Sequence, residues 1–294
     1  MNSENEILVS VCVVTYNQEN YIATCIESLV NQQVDFKFEI VVGEDCSTDG
    51  TRAIIQKYVE KYPDLIVPLF HEENIGASEN YLKTHSLARG IYIAHMDGDD
   101  FALPNKIKEQ AEFLNNNPEC NMVFHRVNFM ENGVLRESKL LSNNILKYKF
   151  YRKDIIEYVA IGTNSSKMYR ASLRDTVLPN FNLVDYTVNV LQVGNGYAAY
   201  SSNNALGVYR VGVGVTGSTT VNLSVYYSLD YFFNNFRGLK ESINSSAWAW
   251  FLYNLKHNKE TKWKFFSILL KTFSIQGLLS YIKSRGFRKE LSGL

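Results

Sequence analysis

Residues 91–100 read IYIAHMDGDD. An apolar run stops abruptly at Asp97, Asp99 and Asp100. Carboxylates this close repel one another, and withdrawal from water strengthens the repulsion. The segments on either side indicate why a chain would set them at the tip of a buried strand. Upstream, ILVSVCVVTY (7–16) is a continuous β-branched and apolar run, the pattern of a strand buried on both faces. After NQEN, residues Ile22, Cys25, Ile26, Leu29 and Val30 recur at helical spacing. FKFEIVVGED (36–45) reads as a second buried strand, the turn CSTDGT offers caps, and Ile54, Ile55, Tyr58 and Val59 form the next helical stripe. LIVPLF (65–70) predicts a third strand, residues 78–88 a short helix and IYIAHM a fourth strand. Pro104 then opens a helix carrying Ile107, Ala111 and Leu114.

Strand and helix alternate with short connections, which predicts an α/β fold with a doubly wound, mostly parallel sheet flanked by helices. Ligands of such sheets bind beyond the carboxyl ends of the strands. Those ends carry Thr15-Tyr16-Asn17, Glu44-Asp45 and Asp97 to Asp100, three polar clusters on one rim.

After residue 120 the pattern changes. NMVFHRVNFM reads as a strand, followed by an irregular Asn-rich stretch, and AIGTNSSKMYRAS as a strand and a turn. NLVDYTVNVLQV predicts a helix closed by Gly194-Asn195-Gly196, and AAYSS and ALGVYRV predict two paired strands. From residue 220 onward the sequence predicts aromatic-rich helices, with Gly277 breaking the last of them.

The 294 residues carry a net charge of zero, which argues against a general nucleic-acid binder. Cys12, Cys25, Cys46 and Cys120 form no C-x-x-C pair and read as free thiols of a reducing cytoplasm. His71, His85, His95, His125 and His257 show no zinc spacing with them. MNSENEILVS lacks the basic region of a signal peptide, and no apolar stretch reaches the ~20 residues of a spanning helix.

For D-G-D-D two readings stay open. One is a solvated acidic turn that caps the helix after Pro104. The other is a site for Mg²⁺ or Mn²⁺, which takes a few carboxylates and completes its shell with substrate phosphates. A calcium EF-hand fails, because counting from Asp97 the twelfth position is Lys108. Gly212, Gly214 and Gly217 match G-x-G-x-x-G, but the motif lies late in the α/β region and opens no βαβ unit. A glycine-rich loop able to close over a substrate is the better reading.

Together VSVCVVTYNQENYIATCIESLVNQ, EIVVGEDCSTDGT, NIG and GIYIAHMDGDDFALPNKIKEQ resemble the family 2 glycosyltransferases of GT-A fold, in the version found in bacterial enzymes that build surface polysaccharides such as O-antigen and capsule. The resemblance is strong over residues 7–130 and continues more weakly through GTNSSKMYRAS, NLVDYTVNV and ALGVYRVGVGVTG. It implies a GT-A domain over 1–219, with a nucleotide-binding half to about residue 118 and an acceptor half over 119–219, followed by a helical extension over 220–294. It also implies that Thr15, Tyr16, Asn17 and Glu19 lie along the nucleotide and that Asp45 binds the base, typically uracil. Asp97 and Asp99 would form the D-x-D pair on the ribose and the metal–diphosphate, with Asp100 sharing the metal. Asp185 would be the catalytic base and Tyr209-Arg210 would line the donor site. Where the family often has a histidine two residues after that arginine, this chain has Gly212. On its own pattern Asp185 reads as a surface or capping residue; Glu157 and Asp175 are the next candidates for the base.

The implied activity is an inverting, Mn²⁺- or Mg²⁺-dependent transfer from a nucleotide-diphosphate sugar, a UDP-sugar by type, to an acceptor hydroxyl. The implied acceptor is a glycan on a polyprenyl diphosphate, met at the inner face of the cytoplasmic membrane. A sugar nucleotidyltransferase would need a glycine-rich, basic loop after the first strand, and T-Y-N-Q-E-N has neither. A silent nucleotide-sugar-binding module would be expected to lose the acidic tip or the base candidate. In the segment 261–291, lysines and arginines alternate with Trp263, Phe266, Leu270, Phe273 and other apolar residues, a mixture suited to a membrane interface or to packing on the catalytic domain.

Overall fold

A computed structural model describes residues 6–213 and 219–291. The apolar runs near the amino terminus become β1 (Val9–Thr15), β2 (Phe38–Glu44), β3 (Ile66–Phe70) and β4 (Tyr92–Asp97). Between them lie α1 (Ile22–Val30), α2 (Thr51–Lys61) and α3 (Ala77–Ser86). Val9, Val11, Val13 and Ile40, Val41, Val42 are fully buried, as strands covered on both faces require. Each such side chain contributes ~1.5–3 kcal/mol by leaving water. The order β3-β2-β1-β4 is parallel, and Thr15 pairs with Glu44 while Val14 pairs with Asp97. The three polar strand ends therefore stand side by side on one rim.

Beyond β4 the sheet is mixed. The chain runs through β5 (Phe101–Ala102), α4 (Lys106–Asn116), β6 (Cys120–Glu131), β7 (Val134–Arg136), α5 (Asn143–Leu146), α6 (Arg152–Tyr158), β8 (Met168–Arg170), α7 (Asp185–Gln192) and β9 (Tyr197–Arg210). The order continues β4-β8-β6-β9-β5, with β8 antiparallel to β4 and β6, and β9 parallel to β6. The two strands expected at AAYSS and ALGVYRV are one long strand, β9. Its polar centre is not a turn: Ser202 and Asn204 bond Glu109, and Asn203 exchanges bonds with the backbone of Leu141. Register shifts against β6 absorb the irregularity.

The remaining helices are α8 (Thr219–Asn235), α9 (Lys240–Lys256), α10 (Lys262–Lys271) and α11 (Ile275–Leu291). Val225, Leu229, Phe232, Ile243, Ala247, Phe265 and Ile268 share one apolar cluster with Phe124, Tyr169 and Tyr200 of the sheet. Gly277 does not break α11. It lies near the start of that helix, where a Cβ would come within 2.5 Å of Asn244 on α9, so the missing side chain lets two helices approach closely. Among the described residues no helix is long and apolar enough to cross a membrane.

Candidate active site

The rim opens into a cleft of about 490 Å³, whose walls include Thr15, Tyr16, Asn17, Asp45, Asp97, Asp99 and Tyr209. A smaller recess of about 140 Å³ adjoins it, and Val14, Ala77 and Asp97 border both. Asp185, Lys167, His95 and Tyr81 lie on the recess wall.

The segment after β1 is tied to the loop that precedes α2. Asn17 takes a left-handed conformation (φ 51), one that asparagine tolerates. Its side chain accepts from the Thr48 N–H at 2.8 Å, and its own N–H donates to Ser47 Oγ at 2.9 Å. The Glu19 carboxylate accepts from the Gly50 N–H at 2.7 Å, so Glu19 braces this loop and is not among the cleft-wall residues. Gln18, which sequence reasoning passed over, does line the cleft and accepts from Thr15 Oγ1 at 2.7 Å.

Asp45 is buried, and its two oxygens accept from the Ile75 and Gly76 N–H groups at 2.8 and 2.9 Å. It thereby fixes the segment 74–76, which brings Asn74 and Gly76 to the cleft wall. Each oxygen keeps a second lone pair, so a ligand N–H can still be accepted there.

The acidic turn is tightly built. Gly98 follows from close approach, since a Cβ there would lie 2.4 Å from Gln18 and 2.9 Å from Thr15. Asp97 accepts from His95 Nε2 at 3.0 Å and Ser165 Oγ at 3.3 Å. Burial opposes its charge, yet His95, Ser165 and Lys167 together hold its carboxyl below the usual range. Asp99 is 7% exposed, and burial plus the charge of Asp97 push its carboxyl up to about 6. Asp100 is 1% exposed and sits behind the cleft wall. One of its oxygens accepts the Arg210 N–H at 2.8 Å, and the other is buried without a partner. Burial, Asp97 and Asp99 raise its carboxyl strongly.

Among the described residues no three His, Cys, Asp or Glu side chains converge into a group that could hold a metal ion. Asp97, Asp99 and Asp100 are therefore not a three-ligand cage. Two carboxylates on the cleft wall, with a like-charge penalty and an orphaned oxygen behind them, fit a hard cation that takes most of its shell from diphosphate and water.

Asp185 opens α7, and its carboxylate accepts the Tyr186 N–H at 2.8 Å. Withdrawal from bulk water on the recess wall raises its carboxyl, offset in part by that bond and by Lys167. Burial pushes Lys167 down to about 8, against the attraction of Asp185 and Asp97. Arg210 stacks over Tyr21 and Phe101, with its guanidinium 5.0 and 5.3 Å from the ring centres, outside the cleft lining. Gly212 lies in the left-handed region after β9, and Gly214 and Gly217 fall outside the described residues. Glu157 is held by Ser245 and Ser280, and Asp175 is exposed beside Arg174; neither borders the cleft or the recess. His95 was legible in principle: on strands, residues two apart share a face, which sets His95 beside Asp97.

The family model described as "Glycosyl transferase family 2" matches residues 10–178. TuaG of Bacillus subtilis (strain 168), assigned by name to teichuronic acid biosynthesis as a glycosyltransferase, is 30% identical over 206 residues, covering 69% of this chain and 79% of its own. The chain spans 58% of the length of the Mycobacterium tuberculosis and Mycobacterium bovis relatives it matches. Among solved structures, S. aureus TarS 1-349 in complex with UDP-GlcNAc aligns with a TM-score of 0.65 at 19% identity, covering 97% of this chain and 81% of that one. The mannosyltransferase PcManGT from Pyrobaculum calidifontis, in complex with GDP-Man and Mn²⁺, aligns with a TM-score of 0.56 at 16% identity, covering 98% and 86%. At these identities the two structural likenesses concern the fold.

Proposed function

The chain belongs to glycosyl transferase family 2, and from that premise we propose that it is an inverting glycosyltransferase that uses a nucleoside diphosphate sugar, a UDP-sugar by type, and a divalent cation. The observation that carries this reading is the junction of two cavities at Asp97: an acid-rimmed cleft on one side and the Asp185 recess on the other. The nucleotide lies along Thr15, Tyr16 and Asn17 with its base toward Asp45, and its diphosphate reaches Asp97 and Asp99. Bound Mn²⁺ or Mg²⁺ supplies Lewis-acid stabilisation to the departing diphosphate. Asp185 takes the proton of the acceptor hydroxyl from the recess side, and its raised carboxyl makes it a stronger base than a free aspartate. Attack from the side opposite the leaving group inverts the anomeric centre.

The acceptor we propose is a lipid-linked glycan of surface-polysaccharide synthesis, reached from the inner membrane face. The outer helices support this reading. On α10, Phe265, Ile268 and Leu269 face the core, while Trp263, Phe266, Leu270 and Phe273 form an exposed line that extends just past the helix end. Ile275, Leu279 and Ile282 do the same on α11. Neighbouring Lys262 and Lys264 suit an anionic surface.

The test is a panel of nucleotide sugars with Mn²⁺ or Mg²⁺, read as nucleotide release with and without acceptor. At least one UDP-sugar should bind and be turned over. Binding without any turnover would point to a silent module, and absence of nucleotide binding would remove the reading altogether.

A further inference from the structure

Asp97 is the outer end of a buried chain of polar side chains. Its carboxylate accepts from His95 Nε2 at 3.0 Å; His95 Nδ1 lies 2.9 Å from His85 Nε2; His85 Nδ1 lies 2.7 Å from the Tyr169 hydroxyl. His85, His95 and Tyr169 are at most 2% exposed. They come from three elements, α3, β4 and β8, so the chain is a tertiary device and not a local turn. Tyr81 stacks on His85 with ring centres 3.9 Å apart, which holds the imidazole in place.

The direction of the chain follows from chemistry. An ionised carboxylate only accepts, so His95 must present its Nε2–H to Asp97. In a neutral His95 the Nδ1 atom is then bare and takes the Nε2–H of His85. His85 Nδ1 is bare in turn and takes the Tyr169 O–H. Burial, together with the nearby charges of Lys167 and Arg174, keeps His85 neutral, in agreement with this order. Each hydrogen is thus assigned by its neighbour, and each bond polarises the next.

We propose that His95, His85 and Tyr169 are positioning residues that hold the Asp97 carboxylate in one orientation for the diphosphate-sugar ligand. This rests on the donor cleft proposed above. The Ser165 hydroxyl, 3.3 Å from the other Asp97 oxygen, completes the clamp. The ligand meets an acid whose orientation is already set, so little order has to be imposed on binding. The signal starts in the core, at a tyrosine that borders neither cavity.

Two measurements test it. Ring nitrogen NMR of the ¹⁵N-histidine-labelled protein needs no variant: both His85 and His95 should be protonated at Nε2 and bare at Nδ1. An Nδ1–H tautomer at either residue, or a bare Nε2 on His95, would overturn the chain. The second is UDP affinity, by calorimetry with Mn²⁺, of Tyr169→Phe, His85→Phe and His95→Phe beside His95→Gln, with melting temperatures measured in parallel. Loss of such orienting partners typically weakens binding about 10-fold or more. The Phe variants should weaken UDP in folded protein, and His95→Gln, whose amide can still donate to Asp97, should recover part of the loss. Unchanged affinity in folded Tyr169→Phe and His95→Phe would leave the residues as core packing only and refute the proposal. If the unaltered protein does not bind UDP, the donor-site reading fails instead, while the tautomer result stands by itself.

Discussion

The cleft rim and the outer face of α10 and α11 hold their exposed chemistry in opposite ways. On the rim, polar side chains already serve the fold: Asn17 and Glu19 secure the loop before α2, and Asp45 secures residues 74–76. On the outer helices the packing is done by an inner stripe, and a second apolar line is left in solvent, with Trp263 65%, Leu270 65% and Phe273 69% exposed. A rim substitution therefore disturbs structure and ligand together, whereas an outer-face substitution leaves the core intact. Asp185 stands between these cases, a carboxylate on the recess wall that accepts a hydrogen bond from the next residue's N–H.

That position gives the largest expected effect. Asp185→Asn should retain UDP-sugar affinity within a few-fold and lose ~10²–10⁴ in transfer rate, the usual share of a general base. Steady-state kinetics beside calorimetry decide it, and near-normal transfer would move the base elsewhere. Next comes Asp99→Ala, which should lower the rate ~10²-fold or more by removing support for the departing diphosphate. Full activity of that variant in the presence of a chelator would sink the metal-dependent reading of the rim.

The outer face is sharpened by substitution and not by truncation, because Phe265, Ile268 and Leu269 belong to the core. Replacing Trp263, Leu270 and Phe273 with serine should weaken binding to anionic vesicles by roughly tenfold or more, given ~1.5–3 kcal/mol for each large apolar side chain that is buried. The melting temperature should barely change. Equal sedimentation of altered and unaltered protein would show that this face does not meet lipid.

The smallest effect concerns the support beneath the acidic turn. Lys106 is buried, bonded to His125 at 2.8 Å and to the Ser165 carbonyl at 2.8 Å, and burial pushes its ammonium down to about 7. The folded state thus binds fewer protons than the unfolded chain between about 7 and the ordinary lysine range. Stability should rise with pH through that window and decline as pH falls toward 7. Between pH 7 and about 8.5 the gain is about 1–2 kcal/mol. Lys106→Met should flatten this slope in chemical denaturation whatever its absolute stability; an unchanged slope would assign the rise to other groups.

The parallel half was legible because buried strands must be apolar on both faces, and ILVSVCVVTY and IYIAHM leave little choice. The rim followed, since parallel strands in register bring their ends together. The centre of β9 was not legible, because Ser202, Asn203 and Asn204 are satisfied by Glu109 and Leu141, which are distant in sequence. Gly277 misled for a related reason: a glycine that admits a neighbouring helix has the same letter as one that ends a helix. The link between His85 and His95 crosses from helix to strand, and spacing along the chain does not reveal it. The helix face that stays in solvent became clear only once the inner stripe was known, because apolar residues surround the sequence of α10 on both sides.

The most direct test of a single displacement at the Asp97 junction is the anomeric configuration of the product. Once the panel identifies a donor, its slow hydrolysis can be followed by ¹H NMR before the freed sugar equilibrates, with water in place of the acceptor. From an α-linked UDP-sugar the β anomer should appear first, and Asp185→Asn should suppress its formation. First appearance of the α anomer would contradict a single displacement.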